Sequence, residues 1–240
     1  MQTSALALAL AAGLGWSASP LPLNPGAIAK GRFHYVTELE VGATRMEIPS
    51  TREISLESQA GEQRLIVKTT SVTGMGETID RLHLDARSMR PIRRETRQRQ
   101  GRLQLEYTGE VVTGMIQSAG QTIMVEQAVD QPAYAGDAGL DTLLVGLQLS
   151  EGLSGRLFVI ETDVEVHLVN FEFSVQAVES ITVPAGTFSA WPIRLQAIDD
   201  PDYRQIIWVS VDEPRLFLQG RAPVPSQAGG GHVLTQLVDR

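Results

Sequence analysis

The chain has 240 residues, 42% of them apolar, and a formal net charge of −8. With a mean hydropathy of −0.04 it can bury one substantial core, and its acidic balance argues against a nucleic-acid partner, which draws on a basic face to neutralise phosphates. Cysteine is absent, which excludes disulfides, thiolate nucleophiles, cysteine-ligated zinc and iron–sulfur clusters, and the acylated cysteine of a lipoprotein.

Ala5 to Leu14 is an unbroken run of small and apolar residues, and Ser17-Ala18-Ser19 follows. A run of that length matches the h-region of a signal peptide and is too short to span a membrane. Residues 1–19 therefore read as a signal peptide, and the mature chain as an exported protein of the periplasm or the extracellular space. No other segment approaches the ~20 apolar residues of a transmembrane helix. Pro20, Pro22 and Pro25 break any regular element, so residues 20–29 read as a linker.

Residues 30–240 read as one β-rich domain. Phe33, Tyr35, Thr37 and Leu39 alternate with His34, Val36 and Glu38; Ile54 with Leu56 and Leu65 with Val67 keep the same two-residue period, that of half-buried strands. Gly42, Gly61, Gly74, Pro91, Gly101, Gly109 and Gly120 punctuate the pattern at the spacing of consecutive antiparallel strands. The predicted fold is mainly β: a curved antiparallel meander or an open barrel. His83-Leu84-Asp85 could serve as a general base pair, but surface polarity beside the inward Leu82 and Leu84 explains it as well.

Arg87, Arg90, Arg93, Arg94, Arg97, Arg99 and Arg102 follow. Arg90, Arg93, Arg94, Arg97 and Arg99 are candidates for docking to an anionic surface or an acidic partner. The plainer reading is a pair of solvated strands around Pro91, with Glu95, Glu106 and Glu110 as counter-charges.

Leu140, Leu143, Leu144 and Leu147 fall at i, i+3, i+4 and i+7. This spacing predicts an amphipathic helix over about 139–149, stopped near Gly152, that covers the open side of the sheet. Glu161 to Leu168 then reads as one strand, with Glu161, Asp163, Glu165 and His167 on one face. Asp163, Glu165 and His167 are the candidate metal ligands, although same-face neighbours on a strand lie ~7 Å apart, loose for chelation. The apolar phase flips to Val169, Phe171 and Phe173, which predicts a bulge near Val169-Asn170.

Beyond Val175, a Val183-Pro184-Ala185-Gly186-Thr187-Phe188 hairpin leads to Trp191, followed by Trp208-Val209-Ser210 and Pro214-Arg215-Leu216. In that order, with Glu179 ahead of the hairpin and Met89-Arg90-Pro91-Ile92 upstream, these residues resemble a bacterial exported family of unknown function. The resemblance implies a curved antiparallel half-barrel, similar at fold level to periplasmic lipoprotein carriers of the Lol type. It supplies no catalytic residues and no cofactor. Phe188, Trp191 and Trp208 are the candidate ligand-binding side chains, with core packing the plainer role for them.

Two functional readings follow. The first is a non-enzymatic exported protein that holds a lipid or other apolar or amphiphilic ligand in the concave side of the sheet, or scaffolds an envelope protein partner. The second is a metal-assisted hydrolase using Asp163, Glu165 and His167.

Overall fold

The computed structural model describes residues 21–240 apart from 60, 75, 100, 163–165, 201, 225, 227 and 228. The expected signal peptide lies outside the described residues. The alternating pattern forms an eight-strand meander: β1 (Gly31–Val41), β2 (Thr44–Gln59), β3 (Glu62–Thr73), β4 (Gly76–Asp85), β5 (Pro91–Gln98), β6 (Gly101–Tyr107), β7 (Val111–Ser118) and β8 (Gln121–Ala128). A short β9 (Ala133–Ala135) and one helix, α1 (Ala138–Val145), interrupt it. The chain then adds β10 (Ser154–Thr162), β11 (Val166–Val175), β12 (Glu179–Val183), β13 (Gly186–Ala197), β14 (Arg204–Ser210), β15 (Phe217–Val224) and β16 (Gly231–Asp239).

All sixteen strands belong to one sheet, in the order β8 to β1, then β16, β15, β14, β13, β11, β10 and β9, with β12 paired to β13 alone. The sheet is open, with β8 and β9 at its two ends. It joins its halves where β16 pairs antiparallel with β1.

The expected covering helix is present as α1, shorter at its C-terminal end. It ends at Gly146, whose N–H donates to the carbonyls of Thr142 and Leu143 at 3.1 and 3.0 Å, well before Gly152. Leu140, Leu143, Leu144, Val145 and the opposite-face Thr142 are all buried, and the helix touches β3, β9, β14 and β15. A helix apolar all round is an interior element. The sheet curls around α1 and takes it as its core.

Leu65, Val67, Leu82 and Leu84 from one half of the sheet, and Phe171, Ile193, Leu195, Ile207 and Val209 from the other, pack with α1 into the main apolar cluster. A second cluster joins Leu103, Leu105, Val112 and Ile116 to Ile160, with Phe158, Val166 and Leu168 against it. Strands β10 and β11 are therefore apolar on both faces, one towards α1 and the other towards β6 and β7.

That sandwiching corrects the expectations for 161–175. Glu161 to Leu168 is no single strand: β10 ends at Thr162, β11 begins at Val166, and the two pair antiparallel with Glu161 opposite His167. Their register runs unbroken from Thr162↔Val166 to Ser154↔Ser174, with Val169 opposite Val159. No bulge is needed at Val169-Asn170, because both side-chain phases of β11 have an apolar neighbour.

The expected linker is docked on the domain. Pro25–Ala27 form a turn of 3₁₀ helix, the Asn24 N–H donates to the Gly146 carbonyl at 2.6 Å, and Ile28 is buried beside Arg215, to which it bridges in parallel. Its prolines preclude a long element, yet its apolar side chains close the end of the core near the C-terminus of α1.

Candidate functional site

Two arginines anchor α1 to the sheet. Arg94 on β5 shares its inward face with Leu82 and Leu105 on either side and is 7% exposed. Its guanidinium donates to Asp80 at 2.9 Å, to the Thr162 hydroxyl at 2.6 Å and to Asp137, at the start of α1, at 2.9 Å. Burial works against its charge, and Asp80 and Asp137 more than offset that, so its pKa lies above the usual range. One side chain thus ties β4, β5, β10 and the helix N-terminus at the seam between the two apolar clusters.

Arg52 on β2 does the same one strand-pair away. It donates to Asp141 at 2.9 Å and lies over the rings of Tyr35 and Phe217, 5.0 and 5.2 Å from their centroids. Burial pushes the Tyr35 hydroxyl up to about 12 and raises the Asp141 carboxyl, with Arg52 opposing both. These groups are structural: each charge is satisfied by a neighbour, as buried charges must be.

The concave side, where an apolar ligand was expected, is filled by α1 and the main cluster. What remains is a cleft of about 250 Å3 at the helix N-terminus, lined by Asp137, Asp141, Glu161, Tyr203, Arg221 and Thr235 among others. Its lining mixes these polar groups with Leu140, Ile207, Phe217 and Val233, and its volume is below the ~300 Å3 at which ligand pockets usually begin.

The larger recess lies on the outer face. A groove of about 600 Å3 runs across β10, β11, β13 and β14. Register places Arg156, Glu172, Gln196 and Arg204 in one row, and Ser154, Ser174, Arg194 and Ile206 in the next. Arg156 is held by Glu172 at 2.7 Å. Arg194 is exposed and makes no hydrogen bond or ion pair among the described residues. The groove's lining thus brings three arginines and one glutamate together in an otherwise acidic chain.

The tryptophans separate at this point. Trp191 stands opposite Val209 and shares the inward face with Ile193 and Leu195, so it packs on the main cluster. Trp208 stands opposite Pro192 on the outer face, two residues along β14 from Ile206, and, like Phe188, also packs partly against the main cluster. Its indole N–H donates to Glu179 at 2.5 Å, which fixes the ring across β12 to β14. Phe188 lies on the strand phase of Pro192 and partly buries its ring beneath the Arg240 guanidinium, 4.8 Å from the centroid. Phe188, Pro192, Trp208 and Ile206 thus form an apolar margin running up to Arg194. The turn behind this margin is Pro184-Ala185, with Val183 opposite Gly186; Gly186 takes a φ of 129°, which disfavours any side chain there.

The arginines expected to dock are dispersed. Arg94 points inward and is no surface group. Arg93 is engaged by Glu95 and by Glu106. Arg90 is exposed at the start of β5, whereas Arg97 and Arg99 are exposed at its far end, roughly 20 Å away at ~3.3 Å per residue. Asp163 and Glu165 lie outside the described residues, and His167 sits 3.6 Å from Glu161 on the partner strand. Among the described residues no three His, Asp or Glu side chains are grouped to hold a metal. Asp85 caps its own turn: its carboxylate accepts from the Ser88 N–H and hydroxyl, both at 2.7 Å, so it does not serve His83. Among the described residues no helix is long and apolar enough to cross a membrane.

The sequence did not single out Arg156, Arg194 and Arg204. Arg156 is distant in the chain from Arg194 and Arg204, which lie on the two arms of the β13–β14 hairpin; their common strand phase, outward from Phe171, Ile193 and Ile207, is the one signal all three carry.

A search of curated proteins matches none of them. Two solved structures are similar across most of their length. One is a Bacteroides fragilis protein described as exported with a YmcC-like fold, at 8% identity and a TM-score of 0.36, covering 91% of this chain and 98% of its own. The other is a Parabacteroides distasonis protein described as a lipoprotein, at 10% identity and a TM-score of 0.28, covering 92% and 98%. A family model matches residues 32–228. The chain belongs to the family described as protein of unknown function DUF3108.

Proposed function

We propose that the protein is a non-enzymatic, exported component of the bacterial envelope that holds an anionic amphiphile on the outer face of β10, β11, β13 and β14. The observation that carries this reading is the groove itself: Arg156, Arg194 and Arg204 beside the apolar margin of Ile206, Pro192, Trp208 and Phe188. An arginine fork suits a phosphate or carboxylate head, and the flat indole suits the first segment of a chain. Export rests on the apolar run at 5–14 and the small residues after it. The half-barrel of lipoprotein carriers is an analogy of shape; here the amphiphile lies outside the curve, because α1 occupies the inside.

Calorimetric titration with lysophosphatidylglycerol and with its zwitterionic counterpart lysophosphatidylcholine tests the site. The anionic lipid is expected to bind at least tenfold more tightly, and Arg194→Glu to abolish that preference. Equal binding of the two lipids, or a preference that survives Arg194→Glu, would overturn the assignment.

A further inference from the structure

We infer that a second surface, the convex corner formed by the ends of β3 to β8, docks the protein onto an anionic membrane. It is independent of the groove: the groove lies on β10 to β14, and no residue is shared.

Strand alternation sends Leu82, Leu103 and Leu105 inward, so their neighbours face out. On that outer face Arg97 of β5 stands directly opposite Arg102 of β6. Ile79 stands opposite Arg97 on the other side. One row further along, Met115 of β7 pairs with Met124 of β8. Arg99 sits in the turn between β5 and β6, against Gly76.

Two like charges placed directly opposite each other destabilise a sheet. Neither Arg97, Arg99 nor Arg102 makes an ion pair or hydrogen bond among the described residues, and the Nε of Arg102 is buried without a partner. Glu95, the nearest acid inward on this face, is already held by Arg93; Glu77, directly opposite Val72, and Glu126, two residues from Met124 on β8, share the face without an ion pair among the described residues. A chain of net charge −8 therefore keeps three guanidinium groups at one corner outside any ion pair among the described residues, with Glu95 acting on Arg97 through its charge alone.

Apolar side chains are exposed among them. Met124 is 75% exposed and Val72 53%, both on the convex phase. Large apolar residues that remain in water beside unpaired arginines fit an interface of acidic headgroups over acyl chains. The arginines supply attraction to the surface charge, and Met124 and Val72 supply shallow insertion. A juxtaposed anionic leaflet also removes the Arg97–Arg102 repulsion.

The full chain, sedimented with vesicles of phosphatidylcholine alone and of equimolar phosphatidylcholine and phosphatidylglycerol, gives the test. Binding to the anionic vesicles only is expected, weakening as salt is raised. Replacing Arg97, Arg99 and Arg102 together by Gln is expected to reduce partitioning on the order of 100-fold, from the charge attraction of each basic side chain. Arg99→Gln alone, at a turn where folding is not at issue, is expected to reduce it about fivefold. Met124→Asp weakens it further. Equal sedimentation with both vesicle types, no sedimentation with either, or loss on Arg194→Glu but not on Arg99→Gln would overturn the proposal.

Discussion

Arg94 shows how much a single residue decides in this fold. Its neighbour Arg93 reaches Glu106 in water, while Arg94 turns into the core and meets Asp80, Asp137 and Thr162. Removing it leaves the Asp80 carboxylate, whose side chain is 17% exposed, buried with its cation gone. Arg94→Ala is expected to destabilise the protein by about 3–5 kcal/mol in chemical denaturation. Because much of that loss is the stranded charge, the Arg94→Ala/Asp80→Ala double variant is expected to be more stable than the sum of the two single effects predicts; strict additivity would refute the pairing. The sequence hid this because a run of arginines reads as a solvated face. The available signal was Asp80: it shares its strand phase with the inward Leu82 and Leu84, and a carboxylate on a core-facing phase needs a cation from another strand. The tryptophans were legible as large apolar anchors, but which of them faces the core depended on the register of β13 against β14, which no local pattern specifies.

At the scale of the element, the strands and hairpins were readable because alternation and turn glycines are local properties. The meander, the Val183 to Phe188 hairpin and the presence of one helix all follow from them. The errors arose where local pattern and tertiary context part company. Alternation runs on through 163–165 and conceals the boundary between β10 and β11, and the phase change at Val169 looks like a bulge unless β11 is apolar on both sides. Leucines at helical spacing show a helix, but not whether it covers a sheet or is enclosed by one. That distinction is measurable. Leu144, which is 0% exposed, lies on an enclosed helix, so Leu144→Ala is expected to cost about 2–5 kcal/mol. Unfolding within about 1 kcal/mol of the parent, the margin of a partly covered site, would contradict the enclosed position.

At the scale of the molecule, the sheet is rolled so that its inward face is consumed by α1 and by β6 and β7 folding over β10 and β11. The same rolling that stabilises the chain fills much of the concave face with α1 and the main cluster, and the proposed groove lies on the outside. Two outer surfaces stand out against the acidic whole: the groove with Arg194 and the corner with Arg97, Arg99 and Arg102. They have different tests, and either can fail without the other. The fold class was legible in the sequence, whereas the groove was not, since its arginines come from three strands brought together by pairing across the sheet.

Native mass spectrometry of the protein purified from its own envelope tests the central claim most directly. The account predicts a co-purifying anionic amphiphile with the parent chain, lost or much reduced with Arg194→Glu and with Trp208→Ala, and retained with Trp191→Phe, which keeps the core filled. A protein that emerges without ligand, or one that carries its ligand unchanged through Arg194→Glu and Trp208→Ala, would contradict it.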